Sequence, residues 1–265
     1  MTRAFKERMI AFGLIALLHA GVAWAETIPA TIISLDPRFD QLVPKDAKLE
    51  KIADGFTWVE GPAWHKQGNY LLFSDIPTNT VYKWKAGEGT SVYLKSSGYS
   101  GTAPFAGKEP GSNGLTLDGQ GRLVLCRHGD RQIGRLESNG TIVPLADHYD
   151  GHKINSPNDL VFKSNGDLYF TDPPFGLPHA FADSSKAPVQ GVYRLSKDGT
   201  VALLVDDIKA PNGIAFSPDE KTLYVSDVDP KRAAWLAYDV NKDGTVTNGR
   251  VLLDATRWRK DPLRA

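Results

Sequence analysis

Cysteine is nearly missing from this chain: among 265 residues there is one, Cys126, alongside only two methionines. A single thiol cannot close an intramolecular disulfide, so the fold is held together without covalent cross-links. Cys126 ends the apolar run Leu123 to Cys126, where a thiol reads as a buried, inert side chain and not as a nucleophile. An excess of either charge is missing too, because 31 Lys and Arg residues balance 31 Asp and Glu residues and the basic ones are scattered. Without a basic stripe, nucleic acid and anionic membrane are excluded as natural partners. Helical periodicity is almost absent beyond Ala25. Long apolar runs occur once, at the very start.

That run extends from Met9 to Trp24, follows Lys6 and Arg8, and closes on Ala23-Trp24-Ala25. A basic start, a short apolar stretch and a small-residue Ala-x-Ala ending describe a signal peptide over residues 1–25, cleaved before Glu26. The stretch is shorter than the roughly 20 residues a spanning helix needs. The expected destination is the periplasm or the exterior, with no membrane association after cleavage. Residues 26–47 read as an extended N-terminal strap and residues 48–265 as one β-propeller body.

What the chain has in abundance is repetition. The stretches EGPAWHKQGNYLLFSD, GSNGLTLDGQGRLVLC, SPNDLVFKSNGDLYFTD and APNGIAFSPDEKTLYVSD place Glu60, Asn113, Asn158 and Asn212 in one slot, at intervals of 53, 45 and 54 positions. Each unit holds two short alternating runs joined by a turn, such as Leu115 to Leu117 and Leu123 to Leu125 around Asp118-Gly119-Gln120-Gly121. These are β-hairpins, and Asn165-Gly166 and Pro218-Asp219 supply the same turn chemistry. A third run (Val81 to Trp84, Ile133 to Leu136, Gly191 to Leu195, Trp235 to Tyr238) and a fourth (Thr141 to Leu145, Val201 to Val205, Arg250 to Leu253) follow. Four antiparallel strands per unit at this period make the blade of a β-propeller; β-helix repeats are much shorter. The first strand of each blade lines the central channel. The four slot residues are therefore expected to face one another at the channel mouth.

One carboxylate and several amide carbonyls offer only hard oxygen donors, the set that calcium favours over zinc or copper. An asparagine before a strand can simply cap a turn. Three in register with Glu60 in the fourth slot point to a shared site. His65, His148 and His152 show no metal spacing, Asp75, Asp172 and Asp227 end second strands where backbone capping is the simplest role, and Trp64 and Trp84 read as blade-packing aromatics. Two long loops, Ser96 to Gly111 and Pro173 to Pro188, are placed to cover the channel or to run over the surface.

The stretches EGPAW, PGSNGLTLDGQGRLVLCRHGDR, SPNDLVFKSNGDLYFTDPPFGL, GVYRL and APNGIAFSPDEKTLYVSD resemble the gluconolactonase branch of the family that also contains regucalcin, over about Trp58 to Asp229. The resemblance implies a six-bladed propeller with one axial divalent cation, usually calcium, held by Glu60, Asn158 and Asn212. It places Asn113 near the substrate or at longer range from the metal, and His128 and Arg131 in CRHGDR become candidate contacts to a sugar hydroxyl or an acid product. The implied activity is hydrolysis of a small sugar lactone such as gluconolactone. The family's further metal-binding aspartate, in a Pro-Asp-Gly motif one period beyond Asn212, has no counterpart. Asp261-Pro262 has the wrong order, so about four blades are expected here and the catalytic base stays unassigned. On that reading the sequence is a truncated form with little activity by itself. An organophosphate-type hydrolase and a non-catalytic calcium- or carbohydrate-binding propeller remain open alternatives, because fold alone does not select an activity.

Overall fold

The computed structural model describes residues 26–178 and 189–256. The leader at residues 1–25, most of the Pro173 to Pro188 loop and the Asp261-Pro262 pair lie outside them. No helix among the described residues is long and apolar enough to cross a membrane. The chain divides into two compact units, Met1–Ile52 and Ala53–Ala265.

In the first unit, β1 (Glu26–Ile28) pairs antiparallel with β2 (Leu49–Lys51) around a single 3-10 turn at Phe39–Gln41. A Lys51–Glu26 ion pair at 2.9 Å spans the two strands. In the other unit, β20 is the outermost strand of its own sheet.

The second unit contains four four-stranded antiparallel sheets, each with its strands in chain order. The first is β3 (Val59–His65), β4 (Tyr70–Asp75), β5 (Thr80–Lys85) and β6 (Gly89–Lys95). The second is β7 (Ser112–Leu117), β8 (Leu123–Arg127), β9 (Gln132–Leu136) and β10 (Ile142–Ala146). A two-residue ribbon, β11 (His148–Tyr149) with β12 (His152–Lys153), precedes the third sheet: β13 (Leu160–Phe162), β14 (Leu168–Asp172), β15 (Gly191–Leu195) and β16 (Val201–Val205). The fourth is β17 (Pro211–Phe216), β18 (Thr222–Asp227), β19 (Ala234–Val240) and β20 (Val246–Asp254). The innermost strands are neighbours, β3 beside β7, β7 beside β13 and β13 beside β17.

The two middle sheets are buried on both faces, which explains why their second strands read as continuous apolar runs. On β8, Leu123 and Leu125 join Ala63, Leu72 and Val81 of the first sheet, whereas Val124 and Cys126 face Leu168, Phe170 and Tyr193 of the third. On β14, Tyr169 turns the other way, into a core with Leu223, Val225 and Tyr238 of the fourth sheet. Alternation thus divides each strand between two cores, and every such side chain contributes about 1.5–3 kcal/mol through burial. Cys126 is fully buried and unpaired with another thiol, and burial pushes its pKa well above the ordinary value. Trp64 follows Ala63 on β3 and so points to the opposite face, where it is half exposed; it does not pack between these sheets.

Polar links reinforce the apolar seams. At the hairpin end, Glu220 accepts bonds from Lys163 Nζ at 2.8 Å and from Ser164 N at 2.7 Å, tying the third sheet to the fourth. Tyr169 Oη donates to Gly244 O at 2.7 Å across the same seam. The outer strands β6 and β20 are mostly exposed, and β10, also an outer strand, carries Pro144 at a bulge, where the lost N–H breaks no inner ladder.

Candidate functional site

The inner strands are not regular. In β3, β7 and β17 the register shifts between Glu60 and Ala63, between Ser112 and Leu115, and between Pro211 and Ile214, so each carries one extra residue at the slot position or directly after it. A bulge breaks the ladder and turns a side chain out of the pleat. The slot backbones are instead held from neighbouring sheets. Ser74 Oγ donates to Asn113 O at 2.8 Å, Gly114 N to Asn158 O at 2.7 Å, and Thr171 Oγ1 to Asn212 O at 2.6 Å. With their carbonyls fixed in this way, the side chains are free to face the channel.

They do so together. Glu60, Asn113, Asn158 and Asn212 line one cavity of about 250 Å³, with Gly61, Pro62, Leu115 and Asp159 completing its wall. Asn113 and Asn158 are 4% and 2% exposed. None of the three side-chain amides hydrogen-bonds another described residue. Asn113 and Asn158 are buried and Asn212 is half-buried, so the three amides keep their polar atoms open to one shared space, where a cation or a polar ligand would satisfy them. Glu60 Oε1 accepts a bond from Trp58 Nε1 at 2.8 Å, which steadies the carboxylate. Among the described residues no group of three or more His, Cys, Asp or Glu side chains could hold a metal ion; what the ring offers is amide oxygens beside the Glu60 carboxylate.

Asp159 was not singled out from the sequence, although the signal was there. The residue after the slot is Gly61, Gly114 and Gly213 in three repeats and Asp159 in the other. The glycines at the first two seams are sterically required: a Cβ on Gly61 would lie 2.2 Å from Asn113 O, and one on Gly114 would lie 2.6 Å from Asn158 O. Asp159 instead directs its carboxylate toward β17. Burial holds its pKa above the ordinary carboxylate value, opposed by the Ile214 and Leu160 N–H groups and supported by the charge of Glu60.

His128 and Arg131 do not line this cavity. His128 is fully buried, with Nδ1 3.2 Å from Glu109 Oε2 and its ring so close to Gly176 that a Cβ there would lie 2.5 Å from His128 Cβ. Arg131 donates from Nε to Ile154 O at 2.8 Å and to Asn155 O at 3.0 Å, and from Nη2 to Lys153 O at 3.0 Å, fastening the loop that leads to Asn158. The strand-ending aspartates cap the loop entering their own sheet. Asp75 Oδ1 accepts from Trp58 N at 3.0 Å, Asp172 Oδ2 from Asn155 N at 2.7 Å and Asp227 Oδ1 from Ala210 N at 3.1 Å. In the second sheet this position is Arg127, which inverts the polarity and donates to Ser97 O at 2.8 Å. Burial raises the pKa of Asp172 to about 7, against the pull of the Asn155 donors. A larger cleft of about 790 Å³, bounded by Gln190, Asp206, Lys209 and Lys231, shares no residue with the ring.

Residues 58–262 match the SMP-30/gluconolactonase/LRE-like region. The chain belongs to that family. It is 39% identical to a gluconolactonase of Zymomonas mobilis over 224 residues, which cover 83% of this chain and 63% of that relative. A solved gluconolactonase structure from Xanthomonas campestris superposes with a TM-score of 0.66 at 36% identity, covering 78% of this chain and 66% of the other. A regucalcin structure from Agrobacterium tumefaciens, 19% identical, shares the fold with a TM-score of 0.57 over 77% of this chain and 61% of that one. The all-β assembly of four-stranded sheets is therefore of the propeller type seen across this family.

Proposed function

We propose that this family member hydrolyses a small sugar lactone, of which gluconolactone is the simplest candidate, at a divalent cation held by Glu60, Asn158 and Asn212 with Asn113 beside it. The observation that carries the reading is the convergence of the four slot residues, the Glu60 carboxylate and three amides, on a single cavity. An all-oxygen donor set with little negative charge fits calcium better than zinc or copper. Bound there, the cation would serve as a Lewis acid toward a lactone carbonyl and the oxyanion that follows it. Glu60 supplies the negative charge, and the Trp58 bond restricts its rotation. The neighbouring-sheet bonds to the carbonyls of Asn113, Asn158 and Asn212 orient the amides without consuming them. No described residue is assigned as the base. The similarity to the Zymomonas and Xanthomonas gluconolactonases supports the lactone class. The leader-like start supports export.

The test is terbium and calcium titration of the full chain, followed by pH-stat hydrolysis of gluconolactone above the uncatalysed rate. Saturable binding that falls by on the order of 10-fold or more in Glu60→Gln and Asn158→Ala, with turnover suppressed by a chelator, is the expected result. Binding that ignores both substitutions would overturn the site assignment.

A further inference from the structure

Asp159 occupies the one slot-following position where a side chain is present, and both of its oxygens are engaged. Oδ2 accepts the Ile214 N–H at 3.0 Å and Oδ1 accepts the Leu160 N–H at 2.9 Å. Its backbone joins the same network, because its N–H donates to Thr171 Oγ1 at 3.1 Å while that hydroxyl donates to Asn212 O at 2.6 Å. Asn212 and Gly213 lie in the β17 bulge, where ladder pairing to β18 is broken between Pro211 and Ile214. The residues on either side of Gly213 are consequently held by the third sheet, Asn212 through Thr171 and Ile214 through Asp159. At the preceding seam the backbones meet directly, Gly114 N to Asn158 O at 2.7 Å. The seam between the third and fourth sheets is bridged by side chains instead.

We infer that Asp159 is a positioning residue: from the third sheet its carboxylate binds the Ile214 N–H and so fixes the β17 backbone that carries Asn212 beside Asn158 in the cavity. On this reading it acts through the backbone donors it holds, the Ile214 and Leu160 N–H groups, and not through a bond to the ion. This inference rests on the cation reading above for its functional consequence but not for its structural content. A ring of three neutral amides has little charge with which to correct a misplaced donor, so affinity depends on how well each amide is aimed.

Two substitutions separate positioning from ligation. Asp159→Asn keeps one carbonyl oxygen that can accept from Ile214 N–H but loses the charge; Asp159→Gly loses both acceptors and restores the residue type of the other repeats. Two readouts on the full chain are needed: amide hydrogen exchange at Ile214, and terbium affinity measured by luminescence. Positioning requires that Ile214 exchange on the order of 10-fold faster or more in Asp159→Gly and close to wild type in Asp159→Asn. Terbium affinity should follow the same order, falling at least about 10-fold in the glycine variant and under about 3-fold in the asparagine variant. Equal loss in both variants would make Asp159 a charge-bearing ligand and overturn the inference. Unchanged exchange at Ile214 in Asp159→Gly would overturn it as well. A wild-type chain that binds no ion would instead sink the cation reading, leaving the exchange result to decide Asp159 alone.

Discussion

Replacing Gly61 by alanine tests how tightly the first seam is closed. Gly61 has φ +61°, and an added Cβ would sit 2.2 Å from Asn113 O, where ordinary contacts begin at 3.4 Å. The obstacle is backbone and not the end of a flexible side chain, so the first and second sheets must separate by about 1 Å at this point. Left-handed backbone costs a non-glycine residue roughly 1–2 kcal/mol and overpacking about 1–3 kcal/mol more. Together these predict a loss of about 2–5 kcal/mol, or on the order of 10 °C in melting temperature for a chain of this size. Gly119→Ala is the control, because that turn residue has nothing within 4 Å of its would-be Cβ and no positive φ, and the change should stay within about 0.5 kcal/mol. Thermal melts and urea titrations of both variants give the comparison. Indistinguishable curves for Gly61→Ala and Gly119→Ala would refute the claim that glycine is sterically required beside the ring.

Two further outcomes follow from the third sheet. Tyr169→Phe removes a buried donor to Gly244 O, at 2.7 Å in the parent, and should lower stability by about 1 kcal/mol in urea unfolding; no change would mean that this seam link is energetically idle. Asp172 has a folded-state pKa of about 7 against 3.8 ordinarily, so the folded chain holds this proton more tightly than the unfolded one. Its contribution is therefore most favourable below about pH 4, declines as pH rises to about 7, and is flat above that. Across that window the stability difference should shift toward Asp172→Asn by an amount on the order of a few kcal/mol. A difference independent of pH between 4 and 7 would contradict the burial argument.

Four repeats of the same phrase were enough to read sheets, hairpins and a shared slot, because β-hairpin formation depends on local alternation and turn chemistry that the sequence spells out. The shared cavity was legible for the same reason: Glu60, Asn113, Asn158 and Asn212 hold the same place in the repeat, so whatever brings one to the channel brings all. Asp159 was equally visible as the exception to a glycine pattern, yet its role required knowing that β17 loses its ladder where Asn212 sits. The fate of Arg131 was not legible, since its partners Ile154 and Asn155 become neighbours only when the second and third sheets pack. Nor could alternation alone say which of the neighbours Ala63 and Trp64 faces the core. Local order thus follows from the chain itself, whereas the aim of the amides, the closeness of the seams and the partners of buried polar groups follow from packing between sheets. Those contacts join residues distant in sequence, and they are decided by which face of each strand finds a neighbour.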